Sequence, residues 1–289
     1  MAAAPSAPAT LELPTVEVVG VTPVLGTSVP IYQVPSNVQS LTAPQLENFH
    51  PWSLPEALQN NLGSVSLSDS EGNPFQTNLD FHGYTASPVL GTPQGLAIYQ
   101  NGSRINEPFG DVVYWDFVPL YAIEKLQLIP GSNPVFGLNA LGGAVTMQAK
   151  TGFDVQGLQT NMSAGSFDRQ QAIAQYGIAT GDVAFYTGLM AANDGGWRDF
   201  SPSQVFQSYS DLELRKGDLN LGASFTFANN HLAGNAAAPE QQLEITRAAA
   251  FAIPDTSHDH LIFLQGRGDY QVNSALSLQA TVYFRNSEV

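Results

Sequence analysis

Cysteine is absent from the 289-residue chain, and charged residues are scarce. The absence of cysteine excludes disulfide scaffolds, thiolate metal sites and cysteine nucleophiles. Charged residues make up 12% of the chain, against about 25% in average proteins. Lys and Arg number 10 against 25 Asp and Glu, so the formal net charge is -15. Phosphate recognition needs clustered Lys and Arg, and the composition therefore argues against a nucleic-acid partner.

Long apolar runs are also missing. No segment reaches the roughly 18 apolar residues that a transmembrane helix needs, although 43% of the residues are hydrophobic. The first residues lack the basic and apolar regions of a signal peptide, and their small side chains resemble the start of a mature exported protein. At the other end, Val289 directly follows a patterned segment. We therefore expect a mature or late start and a chain that is a fragment.

Residues 1–49 are rich in proline and only weakly patterned. Proline interrupts helices and central strands, so this part is predicted to be a loose tail. One island of high β-propensity stands out in the tail, and the residues alone predict a short edge strand there. The island consists of Thr15, Val16, Glu17, Val18 and Val19.

Residues 50–152 show the pattern of a small α+β domain. Ser53 and Glu56 have the spacing of a capping box at the start of a helix, and Gly63 is the candidate C-cap. Three leucines of this helix share one face, namely Leu54, Leu58 and Leu62. Strands are predicted at 95–100, 123–129 and 144–149. The first strand enters Asn101-Gly102, a strong signal for a two-residue hairpin turn.

After Gly152 the pattern changes to alternation with a period of two. In 219–227, Leu and Phe oppose Asn, Ser and Thr, and 158–164, 183–189 and 276–284 repeat the pattern. Less regular segments lie near 169–179, 205–216 and 259–271. About seven strands result, each close to the roughly 10 residues that cross a membrane at a tilt. The turns alternate between tight pairs, at 181–182 and 217–218, and long loops, at 193–204 and 229–257.

The polar face of these strands carries few charges. A soluble sandwich also alternates, but its polar face usually carries Lys and Glu. Here that face holds mainly Asn, Ser, Thr, Gln and Gly, which suits a hydrated interior, while the opposite face suits acyl chains. The pattern favours antiparallel transmembrane β-barrel strands, and a soluble or surface β-rich binding module stays open as the alternative.

Four stretches together resemble the plug domain of TonB-dependent outer-membrane receptors. They are 80–84, 96–102, 123–131 and 135–146, and the most specific part is Phe136-Gly137 followed by 140–143. The family usually has arginine where this chain has His82 and Pro130. The resemblance implies an α+β plug domain at 50–152 followed at 153–289 by the first strands of an incomplete barrel, because plugged barrels have about 22 strands.

The resemblance also implies a function and partners. The protein would be a receptor in the outer membrane of a Gram-negative cell that imports a scarce solute, most often a ferric siderophore. Cobalamin or an oligosaccharide is also possible. Segment 15–19 would be the TonB box, which pairs by strand addition with TonB in the periplasm. ExbB and ExbD would connect TonB to the proton gradient, and outer-membrane lipid would surround the barrel.

The resemblance places the ligand at plug loops 82–94 and 103–117. Aromatic side chains can hold planar or apolar ligands, and Arg or His can face an anionic chelate. The candidate residues are His82, Tyr84, Arg104, Phe109, Tyr114 and Trp115. Packing between plug and wall is the competing role for the aromatic residues among them.

No catalytic or metal motif was found in the sequence. His258 and His260, with Asp255 nearby, are too few ligands to predict a metal site. Segment 137–143 lacks the Gly-Lys-Ser/Thr of a phosphate loop, and no nucleophile–base set is evident. We therefore expect neither an enzyme nor a resident cofactor.

Overall fold

A computed structural model describes residues 18–20, 28–48, 50–235 and 237–289. Strand β1 (Val18–Gly20) pairs antiparallel with β2 (Ser28–Pro30) in a two-stranded sheet. The remainder consists of an α+β unit at residues 30–156, here called the N-terminal domain, and a seven-stranded sheet, here called the large sheet. Helices in the described part of the chain are all too short and too polar to cross a membrane.

The N-terminal domain is built on a five-stranded sheet with the order β3-β9-β10-β7-β8. Only the β10–β7 pair is parallel. A three-stranded sheet, β4-β5-β6, packs beside it. The elements are β3 (Gln39–Thr42), α1 (Ala43–Glu47), α2 (Leu54–Asn61), β4 (Val65–Ser68), β5 (Asn78–Phe81), β6 (Tyr84–Ala86), β7 (Leu96–Gln100), β8 (Ser103–Arg104), β9 (Ile123–Pro130) and β10 (Gly143–Ala149). Short 3-10 turns lie at Ile31–Gln33, Trp115–Phe117, Leu120–Ala122 and Pro134–Phe136.

Helix α2 covers the five-stranded sheet with the predicted face. Its three leucines are buried and join the main core cluster, which also contains Ile98, Leu126 and Val145. The predicted capping box does not form. The Glu56 carboxylate instead accepts the Trp52 N–H at 2.7 Å, and the buried Ser53 hydroxyl has no partner. The C-cap is Leu62, one residue before the predicted glycine.

The predicted hairpin at Asn101-Gly102 is confirmed. Strands β7 and β8 pair through Gln100 and Ser103, and both turn residues have positive φ, 47° and 82°. Two positive φ values define the turn type that fits the twist of a two-residue hairpin. The predicted strands at 123–129 and 144–149 are also confirmed, as β9 and β10.

The large sheet is antiparallel throughout and follows chain order. Its first and last strands do not pair with each other within the described residues, so the sheet is open. The strands are β11 (Gly157–Gly165), β12 (Arg169–Thr180), β13 (Val183–Asp194), β14 (Ser203–Lys216), β15 (Leu219–Ala233), β16 (Thr256–Asn273) and β17 (Leu276–Glu288). The seven predicted strands are thus confirmed, and several are longer than the alternation indicated.

Turn lengths separate the two ends of the large sheet. Two-residue turns connect β12 to β13, β14 to β15 and, at 274–275, β16 to β17. The opposite end carries the turn 166–168 and the loops 195–202 and 234–255, the last with helix α3 (Glu240–Ile245). We call these the tight-turn end and the long-loop end.

The predicted division into two faces is present in the large sheet. On β15, Leu221 and Phe225 are exposed while Ser224 and Thr226 are buried. On β13, Leu189 is exposed while Tyr186 is buried. The buried positions point towards the N-terminal domain and form the inner face. The outer face is apolar and is covered by no other described part of the chain.

The N-terminal domain packs on the inner face of the large sheet. Ala228, Leu261 and Phe263 of the large sheet belong to the same core cluster as α2 and β7. Strand β3 pairs with β9, although residues 1–49 are predicted as a tail. The predicted boundaries at 49 and 152 stay a prediction, and this pairing favours an earlier start of the domain.

Candidate functional site

The contact between the N-terminal domain and the inner face is polar near the long-loop end. We call this whole contact surface the seam. The Asn73 amide donates to the Ser203 hydroxyl at 2.8 Å and to the Ala233 carbonyl at 2.9 Å. Gln76 donates to the Asp259 carboxylate at 2.8 Å. Loop 69–77 is therefore fixed directly to β14, β15 and β16.

A charged contact joins the domain to the last strand of the large sheet. Glu107 pairs with Arg285 at 2.5 Å and accepts the Ser287 hydroxyl at 3.0 Å. Both charged side chains are mostly buried, with side-chain exposures of 12% and 10%. An ion pair shielded from solvent in this way is screened less by salt than a surface pair.

Backbone carbonyls accept hydrogen bonds in the middle of the seam. The Tyr121 hydroxyl donates to the Gly188 carbonyl at 2.9 Å, and its ring lies so close that a Cβ at Gly188 would meet it at 2.5 Å. From the large sheet, Gln207 donates to the Asp116 carbonyl at 2.5 Å. Burial raises the pKa of Tyr121 far above its ordinary value. The hydroxyl therefore stays protonated and remains a donor.

Lys150 fixes the seam nearer the tight-turn end. Its ammonium pairs with Glu47 at 2.7 Å and donates to Gln175 of β12 at 3.2 Å. Gly152 follows at the crossing into the large sheet, in direct contact with the backbone of Ile178 and Phe185. The seam therefore extends along the full height of the sheet.

Two buried carboxyl groups meet across the seam. Asp116 follows Trp115 in a 3-10 turn, and Asp259 lies on β16 at an inward position. Burial and the adjacent Asp259 carboxyl raise the pKa of Asp116 well above its ordinary value. Desolvation disfavours the charged form, and a neighbouring carboxylate adds to that effect.

A cavity of about 200 Å³ lies between the N-terminal domain and strands β11–β14. Aromatic rings line one part, from Trp52, Phe75 and Tyr121, and amides line another, from Gln175 and Gln207. Arg169 of β12 lies 5.2 Å from the Trp52 ring centroid. The seam therefore combines direct hydrogen bonds with an unfilled volume.

Arg104 is held by the N-terminal domain itself. Its guanidinium pairs with Asp111 at 3.0 Å and donates to the Leu138 carbonyl at 2.8 Å and to Asn106 at 3.2 Å. Asn139 also donates to Asp111. The predicted ligand residue thus links segments 104–111 and 138–139, and an anionic ligand would compete with Asp111 for it.

An exposed apolar patch borders this linked pair of segments. Phe109 is 79% exposed and Leu138 is 78% exposed. Leu90 lies beside Gly110 and is half exposed. Of the predicted ligand residues, Phe109 is therefore the one most available to a partner, and its ligand role stays a prediction.

His82 and Tyr84 lie close together at the turn between β5 and β6. The His82 ring stacks on Phe81 with centroids 4.0 Å apart. The Tyr84 side chain lies over Gly95 and Gly142, where a Cβ would meet it at 2.7 Å and 2.5 Å. Both side chains are exposed, and their ligand roles stay predictions.

Tyr114 and Trp115 occupy interior positions. Trp115 is 1% exposed and belongs to the main core cluster. Tyr114 is partly buried and packs edge-on against Phe117, with centroids 5.7 Å apart. The burial of its large apolar ring fits the competing role, packing between the N-terminal domain and the large sheet, and the ligand role of Trp115 stays a prediction.

The predicted coupling segment is described only in part. Thr15, Val16 and Glu17 lie outside the described residues, while Val18 and Val19 belong to β1. Val18 pairs with Pro30 and Val19 with Val29. Proline is tolerated in an edge strand, and both strands of a two-stranded sheet are edges.

The histidines singled out in the sequence do not converge on a metal site. Both lie on the outer face, where His258 meets His231 of β15 and His260 packs against Phe227. Among residues 18–20, 28–48, 50–235 and 237–289, no group of three or more His, Cys, Asp or Glu could hold a metal ion.

Sequence reasoning missed the residues that form the seam. Asp116 offered a signal, because a carboxylate lies between Trp115 and Phe117 in an apolar run. Asp259 is two residues before Leu261 and four before Phe263, so it lies on the same inward-facing side of the strand. Their meeting depends on the docking of two distant segments, which no local pattern encodes.

Comparisons with known proteins agree with this architecture. Residues 30–144 match the family model of the TonB-dependent receptor plug domain. The siderophore receptor PiuA from Acinetobacter baumannii superposes with a TM-score of 0.68 at 15% identity, covering 90% of this chain and 37% of that chain. BauA, the ferric preacinetobactin receptor of the same organism, gives 0.71 at 14% identity, covering 93% and 40%.

A curated relative is similar over part of the chain. The vitamin B12 transporter BtuB of Vibrio cholerae serotype O1 is 23% identical over 148 residues, which is 51% of this chain. The chain spans 23% of the length of that relative.

The fold class is thus a plug-like domain joined to antiparallel strands that resemble the start of a TonB-dependent receptor barrel. Residues 30–144 match the plug domain of TonB-dependent receptors, and the chain shares its fold with part of each of the two superposed receptors. The resemblance and the fold class inferred from the sequence are confirmed. From here the N-terminal domain is called the plug and the large sheet the wall.

Proposed function

We propose that the protein is a TonB-dependent receptor of the outer membrane that imports a scarce solute in an energised step. The observation that carries this proposal is the plug held on the inner face of an open, alternating wall. A plug hydrogen-bonded to its wall blocks passage, so a transporter of this design needs work to move it. The relatives named above are transporters and receptors, which supports a function without catalysis.

The outer face of the wall supports a membrane location. Large apolar side chains project from it without cover, including Met162, Leu189, Leu212, Phe225, Val282 and Phe284. A surface of this kind would cause aggregation if it were exposed to water, whereas the acyl chains of lipids can solvate it. Outer-membrane lipid is therefore the proposed partner of this face, with the long-loop end outside the cell.

The segment 15–19 is the proposed contact for TonB, with ExbB and ExbD supplying energy from the proton gradient. Strand addition needs a short extended segment with a free edge. Strand β1 has one neighbour, β2, among the described residues, which leaves its other edge open. That arrangement supports pairing with a partner strand at Val18 and Val19.

A ferric siderophore is the proposed solute, with cobalamin and oligosaccharides as the other candidates. One similar structure is a siderophore receptor and another is a ferric preacinetobactin receptor, while the curated relative transports vitamin B12. In the plug, Arg104 offers a cation and Phe109 an exposed ring. A cation beside an aromatic surface suits an anionic, partly planar chelate. His82 and Tyr84 are proposed as further contacts.

Deletion of residues 13–20 tests the coupling. The variant is expected to bind the solute like the unchanged protein and to lose energised uptake by at least about tenfold, because the plug keeps its contacts with the wall but loses the segment that TonB would pair with. The measurement compares cell-surface binding with uptake of radiolabelled ferric chelates and cobalamin. Loss of the proton gradient should reproduce the defect.

The matched control deletes residues 2–9, which shortens the same tail by an equal number of residues. Uptake should be unchanged in this control. Normal uptake in the 13–20 deletion would reject the coupling role. Normal uptake in both deletions after collapse of the proton gradient would reject energised transport altogether.

A further inference from the structure

Asp116 of the plug and Asp259 of the wall form an unusual pair. Asp116 is 1% exposed and Asp259 is 0% exposed. Asp259 is the cross-strand partner of Asn230, whose amide donates to Asp116 Oδ2 at 2.8 Å, so the two carboxyl groups lie side by side. Within the described residues, neither carboxyl forms an ion pair with a lysine or an arginine. Two adjacent buried carboxylates without a cation cannot both stay ionised at modest cost.

The surrounding hydrogen bonds satisfy one oxygen of each carboxyl. Asn230 donates to Asp116 Oδ2 at 2.8 Å, and Gln76 donates to Asp259 Oδ2 at 2.8 Å. The Oδ1 atom of each is buried and has no hydrogen-bond partner in the structure. Each aspartate is thus held by an amide from the opposite side of the seam.

We propose that Asp116 and Asp259 share a single proton and act together as a latch that holds the plug against the wall. A hydrogen bond between two carboxyl groups requires a proton on one of them. Removing that proton places two negative charges in contact in a dry site. The latch therefore closes with one proton bound and loosens when the proton leaves.

Other charged groups near the latch do not replace that proton. On the plug side, Glu107 is already paired with Arg285 of β17, and the Tyr114 hydroxyl is neutral because burial and Glu107 raise its pKa. On the wall side, the charges of His231 and His258 act on Asp259, but both lie on the outer face of β15 and β16 and neither forms an ion pair with it among the described residues.

The sign of the pH dependence follows from the raised pKa of Asp116. The closed state binds a proton that the open state releases, so acid favours the closed state. The stabilisation is complete below the ordinary pKa of aspartate and is lost as the pH rises through the raised pKa. Between these two values, the opening equilibrium should increase about tenfold for each pH unit.

Hydrogen exchange tests the latch. The protein is expressed from its own gene and is measured while it is embedded in its membrane. The readout is the opening equilibrium of backbone amides at 112–122 between pH 5 and 9, corrected for the intrinsic exchange rate. The unchanged protein should show the rise with pH followed by a plateau. Asp116→Asn should abolish the slope and keep the closed state, because an amide donates to Asp259 without a titrating proton.

Asp259→Asn tests the same latch from the wall and should also abolish the slope. Glu107→Gln is the matched control, since it weakens another plug–wall contact by a constant factor and should keep the slope. A flat profile in the unchanged protein would overturn the latch, as would a slope that survives in both asparagine variants. The tail deletion tests transport separately, so either proposal can fail alone.

Discussion

Arginine in place of Val282 is expected to prevent stable membrane insertion. Val282 is 71% exposed on the outer face, midway along β17. A cationic side chain at the lipid-facing midplane of a barrel costs about 2–4 kcal/mol. We expect the amount of folded protein in the outer membrane to fall at least tenfold, as measured by membrane fractionation and immunoblotting.

The neighbouring residue supplies the control. Thr281 lies on the inner face and borders a polar space that also contains Arg267 and Gln279. Thr281→Arg should therefore insert at close to normal levels, because its charge enters hydrated surroundings. Equal amounts of folded membrane protein in the two arginine variants would mean that both faces of the wall are in the same environment, which would contradict a lipid-covered outer face.

Valine in place of Gly152 is expected to prevent the plug from docking. A Cβ at this position would lie 2.5 Å from the Ile178 carbonyl oxygen and 2.5 Å from the Phe185 nitrogen. These are backbone atoms of two paired strands, so they cannot move aside without breaking the wall. We expect a loss of about 3 kcal/mol or more, seen as a lower urea midpoint of tryptophan fluorescence.

Gly165→Ala is the control for that substitution. The added Cβ would lie 3.6 Å from the nearest atom, the Cβ of Arg169, which is an ordinary contact. Its effect should stay within about 0.5 kcal/mol. An unchanged urea midpoint in the Gly152→Val variant would contradict the close packing of Gly152 against the backbone of the wall.

Alternation in the sequence predicted the wall because lipid and interior impose opposite demands on successive side chains. The outer and inner positions of β15 follow the predicted pattern from Leu219 to Phe227. The apolar–polar alternation of the sequence ends there, but buried and exposed side chains still alternate to Leu232, and the strand continues to Ala233 because its backbone pairs with β16. Pairing with a neighbour, which no local pattern reports, therefore sets the strand lengths.

Helix α2 illustrates a different limit. The leucine spacing predicted its buried face, since that face is a local property. The capping box does not form because Glu56 accepts the Trp52 N–H and not the Ser53 N–H, and both donors have the same chemistry. Strand β3 lies in the Pro-rich segment that was predicted as a tail. Its strand conformation depends on pairing with β9, which the local sequence does not indicate.

The sequence predicted the class of protein but not the residues that form the candidate site. Motif resemblance located the plug, in which Phe109 is exposed and Arg104 is partly buried. Trp115 is buried, and the sequence left its role open because an aromatic residue suits a ligand site and a packed seam equally well. Asn73, Gln76 and Asp259 become a site only when loop 69–77 meets strands more than 100 residues away.

The central claim, that lipid covers one face of the wall and the plug covers the other, can be measured directly on β15. The chain has no cysteine, so single cysteines can be placed at 221–228 and spin-labelled in the membrane-embedded protein. We predict that relaxation by lipid-dissolved oxygen is strong at 221, 223, 225 and 227 and weak at the positions between. Strong relaxation by a water-soluble reagent at the odd positions, with none by oxygen, would contradict the account.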